Sequence, residues 1–367
     1  MGTPGPPRRI ALFRQRDGSA MGPPMLNRRT ILQLLAAAAA LPGAAVAAQP
    51  QAATRKPPRL RPGDTVGLVQ PAGFVADLAG PQIAIETIRG MGLVPKLGQH
   101  VYDRHGYLAG TDESRAADIN AMFADPSVRA IFAARGGWGS ARVLPYLNWN
   151  AISANPKLLV GFSDITALHM AIAARGGFPT IHASNAGNNW GQTTLDTFRR
   201  LAFDAALPFY PGRFGGDMSA AAAGAGSIET VRPGKAIGRL IGGNLTVLST
   251  LMGTPFLPSF DGAILFLEDV DEAVYSVDRM LTQLVLGGVL KRVAGVVFGR
   301  CARCGSGASG GFTLSDVLTR HLRPLGVPVF SGAMIGHIAN QLSLPLGVRA
   351  EIDADAGTIR ILEPAVA

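Results

Sequence analysis

Ser163 stands in Val160-Gly161-Phe162-Ser163-Asp164-Ile165-Thr166, where a short apolar run ends and helical spacing begins. A serine on so sharp a strand-to-helix turn can act as a nucleophile. The backbone N–H groups that follow it can hold an oxyanion. The same residue also reads as a helix N-cap, the commoner use of such a serine when this motif is taken alone. The closing glycine of a G-x-S-x-G elbow is missing here.

A nucleophilic serine needs a base, and the chain has only 6 histidines. His337, in Ile335-Gly336-His337-Ile338-Ala339-Asn340-Gln341, lies in a small-residue loop suited to proton transfer. His182, after Thr180-Ile181, competes with it, while His100, His105, His169 and His321 read as surface or helix positions. No two histidines stand four apart with an acidic neighbour, which argues against a zinc peptidase and for no metal. Glu268 and Asp269 close the apolar run Ala263–Leu267, and either carboxylate could orient an imidazole. Spacing does not choose between them. Arg135-Gly136-Gly137-Trp138-Gly139-Ser140 follows another apolar run, and its glycines permit close approach to a phosphate or a carbonyl. Arg142 occupies the place of the third glycine of a dinucleotide fingerprint, which disfavours a nucleotide cofactor.

These residues need a scaffold. Val66–Val69, Arg129–Ala134 and Leu158–Val160 read as buried strands, alternating with helical patterns over Leu78–Met91 and from an N-cap at Thr111. That rhythm indicates βαβ units and a parallel sheet. The second half carries further strands at Ala263–Leu267, Gly295–Phe298, Val327–Phe330, Val348–Ile352 and Thr358–Ile361. A Gly- and Ala-rich stretch separates the halves. The expected organisation is a leader over 1–48, an N-terminal α/β domain over 59–208, a linker over 209–227 and a C-terminal domain over 228–363. The crevice between the lobes is the expected site.

The formal charge of +9 does not mark a nucleic-acid-binding protein. Arg8, Arg9, Arg14, Arg16, Arg28 and Arg29 lie in the leader against Asp17 alone, leaving the rest much nearer neutrality. No basic stripe interleaved with aromatics follows. Arg28-Arg29 precedes an Ala-rich apolar run that ends in Ala45-Val46-Ala47-Ala48, the pattern of a cleaved twin-arginine signal. The expectation is an exported, periplasmic protein with no lasting membrane insertion, or a cytoplasmic one if the leader does not function. Cys301 and Cys304 form a lone C-x-x-C without further zinc ligands. It reads as incidental, although export would allow a disulfide.

Five segments together resemble the LD-carboxypeptidases, or muramoyltetrapeptide carboxypeptidases. They are Gly161–Thr166, Ala134–Gly139, Gly238–Leu245, Leu267–Val270 and Gly336-His337, in a match running from about Arg59 to Ile361. The resemblance implies a flavodoxin-like N-terminal α/β domain and a C-terminal β-barrel-like α/β domain. It implies Ser163 as nucleophile, His337 as base and Glu268 as orienting carboxylate, with an oxyanion hole from the amides of Asp164 and Gly137. A muropeptide substrate, no cofactor and a homodimer follow from the same resemblance. Arg135, Trp138 and Arg239 are candidates for holding the substrate, the arginines for its free carboxylate. Relatives that cleave peptidyl-nucleotide antibiotics of the microcin C type supply a rival reading, for which Trp190 is the stacking candidate. A periplasmic binding protein is the rival from outside enzymes. One departure is His182-Ala183-Ser184, where members of the family usually show His-Gly-Pro.

Overall fold

A computed structural model describes residues 55–75, 80–212, 228–305 and 311–367. The leader over 1–48 and most of the linker lie outside these residues. Two sheets organise the chain. Strands β1 (Thr65–Val69), β2 (Val94–Leu97), β3 (Val128–Ala133), β4 (Leu158–Gly161) and β5 (Thr180–His182) are all parallel, in the order β2-β1-β3-β4-β5. That is the flavodoxin-like arrangement, in which ligands bind outside the carboxyl ends of the strands. The inner strands β1, β3 and β4 are almost wholly buried and read as apolar runs, whereas the edge strand β2 is exposed or half-buried along its length. Val128-Arg129-Ala130-Ile131-Phe132-Ala133 is buried except at Arg129. The helix Asp112–Ala124 starts where Thr111 accepts a hydrogen bond from the Ser114 amide at 3.2 Å.

The second sheet is built from β6 (Phe209–Tyr210), β7 (Glu229–Arg232), β8 (Lys235–Asn244), β9 (Ile264–Val270), β10 (Gly295–Ala302) and β11 (Val329–Ser331). After β12 (Leu344–Leu346) it is completed by β13 (Arg349–Asp353) and β14 (Thr358–Ile361). β8, β9, β10 and β11 run parallel at its centre, and antiparallel strands flank them to form a curled mixed sheet. The two sheets exchange strands. β12 adds an antiparallel edge to the first sheet through Leu344↔His182 and Leu346↔Thr180. β6, which forms the first two residues of the expected linker, pairs with β14 in the second. The last residue is tied back as well, with the Arg59 amide donating to the Ala367 carbonyl at 3.2 Å.

Contact between the sheets explains one of the sequence motifs. In Ile241-Gly242-Gly243-Asn244, Gly243 has φ +146°, and a side chain there would run into the Thr166 hydroxyl. The Asn244 amide donates to that hydroxyl at 2.9 Å. Glycine therefore allows the backbone of β8 to lie against the helix that follows Ser163. Among the described residues, no helix is long and apolar enough to cross a membrane.

Candidate active site

A cavity of about 520 Å³ opens at the carboxyl ends of β1, β3, β4 and β5, where it meets the loops that follow β9, β10 and β11. Ser163 lies on its wall immediately after β4, with φ +62°. This left-handed conformation is uncommon for a residue other than glycine and is kept only where the surroundings fix it. Here the next turn is a 3₁₀ helix over Ser163–Ile165 that passes into the α-helix Thr166–Ala171. Asn185, buried after β5, accepts a hydrogen bond from the Phe162 amide at 3.1 Å. His169 bonds the Gly161 carbonyl at 2.9 Å from below. The turn is thus pinned on both sides of the serine.

The second sheet brings the other two groups. His337 Nε2 lies 3.0 Å from Ser163 Oγ, and His337 Nδ1 lies 2.8 Å from Glu268 Oε2. A carboxylate can only accept, so Nδ1 carries the proton and Nε2 is left to accept from the serine hydroxyl. Glu268 is fully buried, whereas His337 is half-buried at the cavity wall. Gly336, with φ +117°, makes this approach possible, because a Cβ there would meet Glu268 Oε2 at 2.8 Å.

The choice between the two acids follows from strand alternation. Glu268 faces His337, and Asp269 points the other way. Asp269 accepts from Asn244 Nδ2, the Thr246 amide and the Thr246 hydroxyl, each at 2.9 Å. Burial raises its pKa above the usual carboxylate range. Asp269 thus fastens the end of β8.

Asp164 contributes at two levels. Its amide belongs to the first turn of a helix, which leaves such N–H groups without an internal acceptor. Its buried side chain accepts the Ser140 amide at 2.7 Å, and burial raises its pKa. That bond ties the Arg135–Gly139 loop to the serine turn. A Cβ on Gly136 would come within 3.2 Å of Ser163 Cβ, so the Gly136-Gly137 backbone lies directly alongside. The amides of Asp164 and Gly137 are therefore both carried by segments held at the serine.

Model matches cover both halves of the chain: the LD-carboxypeptidase N-terminal domain over residues 66–183 and the LD-carboxypeptidase C-terminal domain over 237–352. A Streptomyces coelicolor protein provisionally named a carboxypeptidase is 40% identical over 326 residues, covering 85% of this chain and 97% of that one. The murein tetrapeptide carboxypeptidase of Pseudomonas aeruginosa is 31% identical over 298 residues, covering 79% and 93%. A single-residue variant of the microcin C7 self-immunity protein, solved with adenosine monophosphate, superposes with TM-score 0.76. It is 27% identical and covers 85% of this chain and 100% of that chain. This chain belongs to the LD-carboxypeptidase family. As a family member it is a peptidase, of the carboxypeptidase type, and the fold of the family is the one described above.

The remaining sequence candidates divide. Arg135 lines the cavity, donates to the Phe74 carbonyl and has no acidic partner within 4 Å among the described residues. Trp138 is outside the lining. It packs edge-on against Tyr107 at 5.9 Å with Arg142 over its face at 5.7 Å. Arg239 is also outside, because its strand position turns the guanidinium to the Ser259 carbonyl at 2.6 Å. Trp190 does not face the cavity, being packed against Phe132 and Phe198 and bonded to the Asn185 carbonyl at 3.1 Å. The competitor His182 is fully buried and held neutral, its pKa pushed down by burial to about 3.

Sequence reasoning missed Asn185, whose only signal was its place just beyond a strand end. It also missed Asp271 and Arg303, which line the cavity as an ion pair. Cys301 and Cys304, read above as incidental, form a disulfide that brackets Arg303. No group of three metal-ligating side chains exists among the described residues.

His169 makes the site's stability depend on pH. Burial lowers its pKa to about 4, so it stays neutral while bonded to Gly161 and to the Thr180 hydroxyl at 2.8 Å. Its folded value lies below the unfolded value of 6.5. Between those values the unfolded chain binds a proton that the folded chain does not, so stability falls as pH falls. The expected slope is about 1.4 kcal/mol per pH unit for this residue. Urea unfolding at pH 6.5 and 5 checks it. His169→Gln should flatten the loss by roughly that amount per unit, and an unchanged slope would refute the assignment.

Proposed function

We propose that the protein is a serine-type LD-carboxypeptidase that removes the terminal D-alanine from murein tetrapeptides. The observation that carries the reading is the hydrogen-bonded chain Ser163–His337–Glu268 at the wall of the shared cavity. Ser163 Oγ attacks the carbonyl of the residue before D-alanine while His337 Nε2 takes its proton. The amides of Asp164 and Gly137 hold the oxyanion. Glu268 stabilises the imidazolium, as the carboxylate of a triad does. His337 then gives the proton to the leaving amine, and water releases the acyl group by the same route in reverse. Arg135, whose charge has no carboxylate beside it among the described residues, takes the free carboxylate of the leaving D-alanine.

The names of relatives that act on murein peptides support this substrate class. The Arg28-Arg29 leader supports action outside the cytoplasm, on wall peptides rather than recycled ones. The peptidyl-nucleotide reading is weaker, because Trp190 is half-buried against Phe132 and Phe198 and does not line the cavity. Purified protein should release D-alanine from L-Ala-γ-D-Glu-meso-diaminopimelate-D-Ala. It should leave an aminoacyl-adenylate analogue largely intact. Cleavage of the analogue alone would transfer the assignment to the nucleotide substrate.

A further inference from the structure

Beyond the triad, the cavity wall carries one ion pair whose geometry points to a second recognition element. Arg303 Nε and Nη2 donate to the two carboxylate oxygens of Asp271, each at 2.7 Å. Both residues line the same cavity as Ser163 and His337, and both side chains are mainly exposed. The pair is built into the ends of two adjacent strands. β9 and β10 resume their pairing after a bulge, through Cys301↔Asp269 and Ala302↔Val270. The Asp271 amide then donates to the Ala302 carbonyl at 2.9 Å. Asp271 and Arg303 each have φ +57°, an uncommon conformation for such residues. The Cys301–Cys304 disulfide closes over Arg303 and fixes the backbone that presents it.

We propose that Arg303 and Asp271 form a specificity subsite for a zwitterionic amino-acid head carried by the substrate, Arg303 taking its carboxylate and Asp271 its ammonium. The proposal rests on the peptidase reading and deepens it. Charge balance is the reason. A lone carboxylate would have to share Arg303 with Asp271, a second anion already in place. A zwitterion brings a cation for Asp271 together with an anion for Arg303, so neither group is left uncompensated. Among the described residues Arg303 uses two of its five N–H donors, both on Asp271, which leaves three for a ligand. Arg135 differs, having a carbonyl partner and, among the described residues, no acid, and suits a single carboxylate such as that of the leaving residue. The substrate class is therefore a peptide whose residue before the scissile bond bears a second amino-acid centre at the end of its side chain. Held this way, that side chain would lie along the Arg303 wall while its own carbonyl faces Ser163.

The test compares kcat/KM for two tetrapeptides that differ only at the third residue: meso-diaminopimelate, and the same residue with its side-chain carboxylate converted to the amide. Wild type should favour the free acid by about tenfold or more, mostly through KM, as expected for a hydrogen bond to a charged group. Arg303→Ala should bring that ratio close to one, and Arg303→Lys should leave part of it. Cys301→Ser/Cys304→Ser should lower the ratio in the same direction by loosening the loop. Asp271→Asn should instead reduce discrimination against a peptide acetylated on the side-chain amine. An unchanged ratio in Arg303→Ala, or equal turnover of both peptides by wild type, would overturn the subsite and leave the peptidase reading in place. Wild type that hydrolyses neither peptide would overturn the peptidase reading itself, and the subsite with it.

Discussion

Ser163→Ala is expected to abolish D-alanine release, with kcat falling by roughly 10⁶-fold, the scale seen when a triad nucleophile is removed. The fold should survive the change. Alanine meets the same left-handed backbone as serine, and the turn is held by Asn185, His169 and Asp164 rather than by the hydroxyl. Loss of activity can therefore be separated from loss of structure by comparing urea midpoints, which should agree within about 1 kcal/mol. A serine-directed phosphonate should label wild type at Ser163 and leave the variant unlabelled. Release that persists in a folded, unlabelled Ser163→Ala protein would remove the nucleophile from the mechanism, and with it the serine-type assignment.

What the sequence disclosed about this site depended on how local each signal was. β3 was legible because a parallel strand covered on both faces is an uninterrupted apolar run. The helix Asp112–Ala124 was legible because Thr111 and two acidic residues mark its start. Ser163 was ambiguous, since an N-cap serine and a nucleophile occupy the same kind of turn. His337 lies 174 positions from the serine and 69 from Glu268, and only the packing of two sheets brings them within 3.0 Å. Family resemblance, not spacing, had selected them.

Other features lacked a local signal altogether. β12 is Leu344-Pro345-Leu346, and a central proline argues against a strand unless that strand lies at an edge, where this one does. β8 begins with Lys235 and contains Gly238, Gly242 and Gly243, a composition that hides ten residues of ladder. Arg239 looked suited to a carboxylate only because its facing along β8 was unknown. Arg303 looked like part of an unremarkable C-x-x-C, because nothing in one dimension shows β9 and β10 carrying it to the cavity.

Glu268→Gln is the second substitution expected to have a large effect, with kcat reduced by on the order of 10²–10⁴-fold. The glutamine is nearly isosteric and leaves the 2.8 Å contact to His337 Nδ1 sterically intact. It can present either end of its amide. If the oxygen faces Nδ1, the tautomer is kept, but no negative charge supports the imidazolium that forms when Ser163 gives up its proton. If the NH₂ faces Nδ1, that nitrogen must become the acceptor. The proton then moves to Nε2, which can no longer accept from Ser163. Either orientation impairs the base, so the loss should appear in kcat rather than in KM. Asp269→Asn is the matched control, one residue along the same strand. Asp269 serves Asn244 and Thr246 instead of His337, so its replacement should act mainly on stability and on the docking of β8. Equal losses of kcat in both variants, at equal stability, would contradict the division of labour that strand alternation imposes. A Glu268→Gln enzyme within about threefold of wild type would show that His337 does not need this carboxylate, contrary to the triad reading.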